Sequence, residues 1–70
     1  MNERFLTNMK HVENAIRDAG FVPYDQLFGY ILTGNSAYIT RRNGARETVT
    51  QMDPDLLRHY LLHQKSSWQK

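Results

Sequence analysis

Residues 23–46 read PYDQLFGYILTGNSAYITRRNGAR, and the rest of the chain falls into place around them. Leu27, Phe28, Tyr30, Ile31 and Leu32 leave almost no polar side in the first half of this run. A helix that is apolar all round is a buried helix, so these five residues are expected to form the core, or the core together with a dimer contact. Pro23 suits the first helical turn, where its missing N–H costs nothing. Asp25 falls in the same turn, facing the positive end of the helix dipole. Gly34 stands where a left-handed residue ends a helix. Gly29, inside the helix, costs roughly 1 kcal/mol relative to Ala and so marks a close approach, expected from another backbone. The second half of the run turns polar and basic at Arg41, Arg42 and Arg46.

On the N-terminal side, Phe5, Leu6, Met9, Val12, Ala15, Ile16 and Ala19 recur in steps of three and four. That spacing predicts an amphipathic helix ended by Gly20 and started by Asn2 as cap. Arg4, Lys10, Glu13, Asn14, Arg17 and Asp18 fall on its solvated face. On the C-terminal side, Asn35 and Ser36 predict a turn that caps a short helical segment, and Tyr38 and Ile39 anchor the loop. Ala45 to Met52 is the least decided segment. Thr48, Val49 and Thr50 are β-branched, and Asn43-Gly44 is a hairpin signal, so helix leads hairpin only narrowly on the residues themselves. Asp53-Pro54-Asp55 is a strong helix start, followed by the inward stripe Leu56, Leu57, Tyr60, Leu61 and Gln64. From Lys65 the periodicity is lost. The expected organisation is one helical domain over 1–65 with a frayed tail over 66–70 that carries Trp68.

The expected fold is all-α, a compact bundle of four to five short helices. A chain of 70 residues buries only about 60% of its unfolded surface, and with no cysteine it has no disulfide to make up the difference. Oligomerisation is the common remedy, so a homodimer is expected. The absence of cysteine fits a reducing compartment, and nothing in the sequence reads as a membrane span or signal peptide; the expected location is the cytoplasm. Net charge is +2 and the pI about 9.2, a mild excess beside the dense basic faces of nucleic-acid binders. Nucleic acid therefore ranks behind a protein partner.

No catalytic set assembles. There is no Ser-His-acid or Cys-His grouping, Asp25, Asp53 and Asp55 are accounted for by helix starts, and the glycine spacing matches no nucleotide loop. Neither enzymatic activity nor a cofactor is expected. His59 and His63 share a helix face at the spacing of a metal chelate, but no third ligand is evident, so no metal is expected. Tyr38, Arg41, Arg42 and Arg46 remain as the candidate partner-binding residues. Grouped guanidiniums hold carboxylates or phosphates bidentately, and Glu47 is the one acid close in sequence.

The same run carries a resemblance. Gly29-Tyr30-Ile31-Leu32-Thr33-Gly34-Asn35-Ser36-Ala37-Tyr38-Ile39-Thr40-Arg41, closed by Ala45-Arg46, resembles the signature of the IreB/ReoM family, whose usual form reads G-Y-[LV]-L-S-G-D-P-A-Y-I-P-R with a following A-R pair. The likeness runs from about Phe5 to Leu62. It implies a non-enzymatic, all-helical homodimer from a Gram-positive bacterium, which tips Ala45–Met52 towards helix. It also implies a role in cell-envelope control. Such relatives are targets of a transmembrane Ser/Thr kinase and influence, through a Clp-type protease, the proteolysis of an early enzyme of peptidoglycan synthesis. The implied partner is that protease machinery or its substrate. Arg41 and Arg46 match arginines expected on the regulatory surface. The chain departs from the pattern at Ser36 and Thr40, which replace prolines, at Arg42, which replaces a common His, and at Thr50, Gln51 and Pro54, where relatives carry charge. The phosphoacceptor tail is expected to be missing, since Thr7 already lies inside the first helix.

Overall fold

The computed structural model describes residues 3–68, with side chains through His63. Among these residues the chain forms four α-helices, α1 (Glu3–Asp18), α2 (Pro23–Thr33), α3 (Ala45–Thr50) and α4 (Pro54–Trp68), and two 3-10 turns, Ser36–Tyr38 and Arg42–Gly44. The all-α expectation holds, and the undecided segment is helix. The reason lies in its burial pattern. Ala45 and Val49 are both fully buried while Glu47 is exposed. A strand would have set Glu47 on the same face as its two apolar neighbours; a helix separates them.

Local signals ended and started the helices as their chemistry dictates. Past α1, Gly20 takes φ 90°, its N–H donates to the Arg17 carbonyl (2.9 Å), and the Phe21 N–H reaches back to the Ile16 carbonyl (3.1 Å). This paired closure satisfies the last carbonyls of α1 and reverses the chain. Pro23 opens α2, and Gly34 closes it at φ 71° with its N–H on the Tyr30 carbonyl. The Asp53 carboxylate accepts the Asp55 N–H at 2.8 Å, which caps α4 ahead of Pro54.

α1 packs mainly on α3, and α2 mainly on α4. Phe5, Met9, Val12, Ala15 and Ile16 from α1 meet Leu27, Ile39, Ala45, Val49, Met52, Leu57 and Leu61 in one core. Phe5 also meets the Tyr60 ring edge to face, with centroids 5.9 Å apart. Glu13 corrects the sequence reading. It is buried at 9% exposure, not solvated, and accepts a hydrogen bond from the Tyr60 hydroxyl at 3.2 Å, which ties α1 to α4. Burial raises the Glu13 carboxyl above the usual glutamate value against the opposing effects of the Tyr60 bond and the Arg17 charge. Burial and the Glu13 carboxylate together push the Tyr60 hydroxyl up to about 12.

The helix taken as the central core element sits differently from expectation. In α2 only Pro23 and Leu27 are buried. Phe28, Tyr30 and Ile31 are half-buried, and Leu32 is 68% exposed. α1 gives the core five side chains, Phe5, Met9, Val12, Ala15 and Ile16, whereas α2 gives it Leu27 and lies against it with one side only. Phe21, Val22 and Leu32 thus form an apolar exposure at the two ends of α2, with the stacked Tyr24–Phe28 pair (centroids 5.3 Å) between them. Opening of the bundle is not the cause, because the radius of gyration is 10.8 Å, close to the about 11 Å expected of a compact chain this long. The Asn2 cap lies outside the described residues, and the inward Gln64 and the Trp68 indole lie outside the described side chains. α4 itself runs past Lys65 to Trp68.

Candidate functional site

The loop that carries the basic residues is stitched down on both sides. Asn35 Oδ1 accepts the Ala37 N–H at 2.9 Å, which starts the first 3-10 turn and delivers Tyr38 onto α2. There the Tyr38 ring occupies the space a side chain at Gly29 would need. A Cβ built on Gly29 would lie 2.7 Å from Tyr38 Cδ1. The close approach expected at Gly29 is therefore made by an aromatic side chain, not by backbone. Tyr38 remains 49% exposed, so it is seated by contact with the helix and still offers surface to solvent.

Ile39 follows, fully buried, and pins the loop to the core. Its neighbour Thr40 donates its N–H to Gln26 Oε1 of α2 at 2.9 Å. From the other side, the Arg46 N–H donates to the Thr40 carbonyl at 3.1 Å, and Arg46 Nε donates to the Ile39 carbonyl at 2.9 Å. Arg46 thus grips two consecutive carbonyls of the loop. The Arg42 N–H adds a local bond to Thr40 Oγ1 (3.2 Å).

The second turn is held from α1. Asn43 adopts φ 52° and Gly44 φ 73°, a left-handed pair that lets α3 begin at once; Asn is among the few non-Gly residues that tolerate this region. The Asn43 carbonyl lies 2.8 Å from His11 Nε2, and since a carbonyl only accepts, that ring nitrogen carries the hydrogen.

Between the first turn and α3 lies an open cleft of about 450 Å³ lined by Ser36, Arg41, Gly44, Arg46, Glu47 and Thr50. Of the four residues singled out in the sequence, Arg41 and Arg46 share this cleft. Tyr38 sits on α2, and Arg42 is exposed on the second turn. Arg58–Asp55 on α4, at 3.5 Å, is the ion pair that forms among the described residues. The Arg41 guanidinium makes no such pair there, nor do the terminal nitrogens of Arg46. Ser36, Thr50 and Gln26 were missed in the sequence. Gln26 was legible as a polar residue inside an apolar run, whereas Ser36 and Thr50 join the site only through the fold.

The His59 and His63 rings lie 4.3 Å apart between centroids with their planes tilted at 58°, and no group of three or more metal-ligating side chains gathers among the described residues. No helix of the described residues is long and apolar enough to cross a membrane. Thr7 is exposed in the second turn of α1, its backbone held in the helix. Compared with known protein families, the chain matches the model described as IreB regulatory phosphoprotein over residues 1–65.

Proposed function

The chain belongs to the IreB family of regulatory phosphoproteins, and on that premise we propose that it is a non-enzymatic adaptor which captures a protein partner on the surface formed by Tyr38, Arg41, Arg42 and Arg46. The observation that carries this reading is that Arg41 and Arg46 line one open cleft against a single acid, Glu47, and that Arg41 makes no ion pair among the described residues. An uncompensated charge so placed is available to an acidic surface of another protein, where charge complementarity governs encounter and register. The resemblance supplies the setting: cytoplasmic control of peptidoglycan synthesis downstream of a Ser/Thr kinase, through a Clp-type protease or its substrate.

The working unit is a homodimer joined through α2. Support for this comes from the exposed Phe21, Val22 and Leu32 at the two ends of α2 and the half-buried Phe28 and Ile31 within it, since exposed apolar area marks an interaction surface. Light scattering at micromolar concentration reads the assembly state, and a folded monomer there removes the dimer. For the adaptor role, Arg41→Ala introduced into the host's own copy of the gene is expected to change the lifetime of the early peptidoglycan enzyme. An unchanged lifetime, with the variant protein present at normal level, refutes the reading. Titration of labelled duplex and single-stranded oligonucleotides over a salt series addresses the rival. Tight binding that weakens steeply with salt and is lost in Arg41→Ala would assign the cleft to nucleic acid.

A further inference from the structure

We propose that the cleft between the Ser36–Tyr38 turn and α3 is a receptor for a phosphorylated serine or threonine side chain of a protein partner. This rests on the reading that the same surface captures a protein, and it narrows the partner to one carrying a phosphate.

Three residues of the lining carry hydrogen-bond donors. Arg41 brings a guanidinium with no partner among the described residues. Arg46 brings its terminal nitrogens, and its plane is held in place because Nε is committed to the Ile39 carbonyl at 2.9 Å, a residue that is itself fully buried. Ser36 brings a hydroxyl that takes part in no hydrogen bond among the described residues, whereas the Thr50 hydroxyl is already spent on the Glu47 carbonyl at 2.9 Å. Gly44 leaves the floor open, with nothing within 4 Å of where its Cβ would stand. A guanidinium fixed before binding loses less freedom on binding, so the Arg46 side of the site is organised in advance of its ligand.

The number and charge of these donors select the ligand. A planar carboxylate offers two oxygens and one charge. A phosphorylated side chain offers three terminal oxygens and a charge of about −1.5 to −2 near neutral pH, which engages both guanidiniums and the hydroxyl together. Glu47 is the one acid in the lining. Against the two arginines it leaves a single net positive charge, and it opposes any anion that enters; its removal is therefore expected to strengthen binding.

The test uses the full chain, isotope-labelled and titrated at constant ionic strength with N-acetyl-phosphoserine amide, with N-acetyl-aspartate amide and with inorganic phosphate. The phosphoserine probe is expected to move the amide resonances of Ser36, Arg41, Gly44 and Arg46 saturably, and to bind about tenfold more weakly to Arg41→Gln, the loss of one charge-assisted contact. Ser36→Ala should weaken it by about two- to fivefold, and Glu47→Gln should tighten it. Shifts spread evenly over Arg4, Lys10 and Arg58, or an affinity that survives Arg41→Gln, overturn the proposal. So does an aspartate probe that binds as well as phosphoserine, although that result leaves the adaptor reading intact with an acidic partner in place of a phosphorylated one. Inorganic phosphate binding alone, without the amide-capped probe, reduces the cleft to a free-anion site and likewise overturns it. Conversely, phosphoserine bound in the cleft of a protein whose Arg41 has no bearing on the lifetime of the peptidoglycan enzyme sinks the adaptor reading and spares this one.

Discussion

Glu13 and Arg46 are both charged residues that took on work inside the fold. For Glu13, the raised carboxyl pKa means that the folded chain binds a proton at pH values where the unfolded chain has released it. Stability from this group is thus fully present below the ordinary glutamate value and is lost as pH rises through the raised one. Urea midpoints measured from pH 4.5 to 7 should fall in that interval, and Glu13→Gln should flatten the trend while keeping an acceptor for the Tyr60 hydroxyl. A Glu13→Gln protein with the same slope would place the titration elsewhere. Arg46→Ala leaves the buried Ile39 carbonyl without its donor, at a cost of about 1–3 kcal/mol. In a domain of this size each kcal/mol lowers Tm by roughly 4–8 °C, so calorimetry resolves the loss. Arg41→Ala should leave Tm in place. The sequence grouped the two arginines alike, as candidate partner-binding residues. What separates them is a bond to a carbonyl seven residues upstream, which no local pattern announces.

At the level of elements, α1, the caps around Gly20 and Gly34, and the start of α4 at Asp53-Pro54 were legible because each rests on a local rule of spacing or capping. α3 was legible in principle, since Ala45 and Val49 are four apart with Glu47 between them, but β-branched propensity obscured it. α2 was misjudged for a different reason. Apolar composition states that a face wants cover and not what supplies the cover, and in this chain α1, α3, α4 and Ile39 fill most of the interior. Leu32→Ala, which full burial would have made a 2–5 kcal/mol loss, should instead cost well under 1 kcal/mol in the isolated fold, given its 68% exposure. Gly29→Ala gains up to about 1 kcal/mol of helix propensity but drives its new methyl into the Tyr38 ring. The expected outcome is a displaced Tyr38, seen as lost upfield shifts on α2, with little change in Tm. Combining Gly29→Ala with Tyr38→Ala should recover the propensity gain as a higher Tm than Tyr38→Ala alone. If the double variant is no more stable, Gly29 answers to something other than the ring.

For the molecule as a whole, the fold separates two surfaces. The apolar exposure runs along α2, and the basic cleft opens between the first 3-10 turn and α3. Leu32→Asp should convert a dimer to monomer in light scattering without unfolding it, and without altering phosphoserine affinity at the cleft. Loss of helicity on that change would return Leu32 to the core. The grip of Arg46 on Ile39 and Thr40 has a bearing on how such a protein can drift. A side chain that closes the chain and also lines the cleft cannot be tuned for ligand without being tuned for abundance. In a saturation scan read out for both quantities, substitutions at position 46 should move along the diagonal, losing protein level and binding together. Those at positions 36 and 41 should fall off it, losing binding alone, which makes them the positions where one lineage can exchange its partner while the scaffold stays as it is.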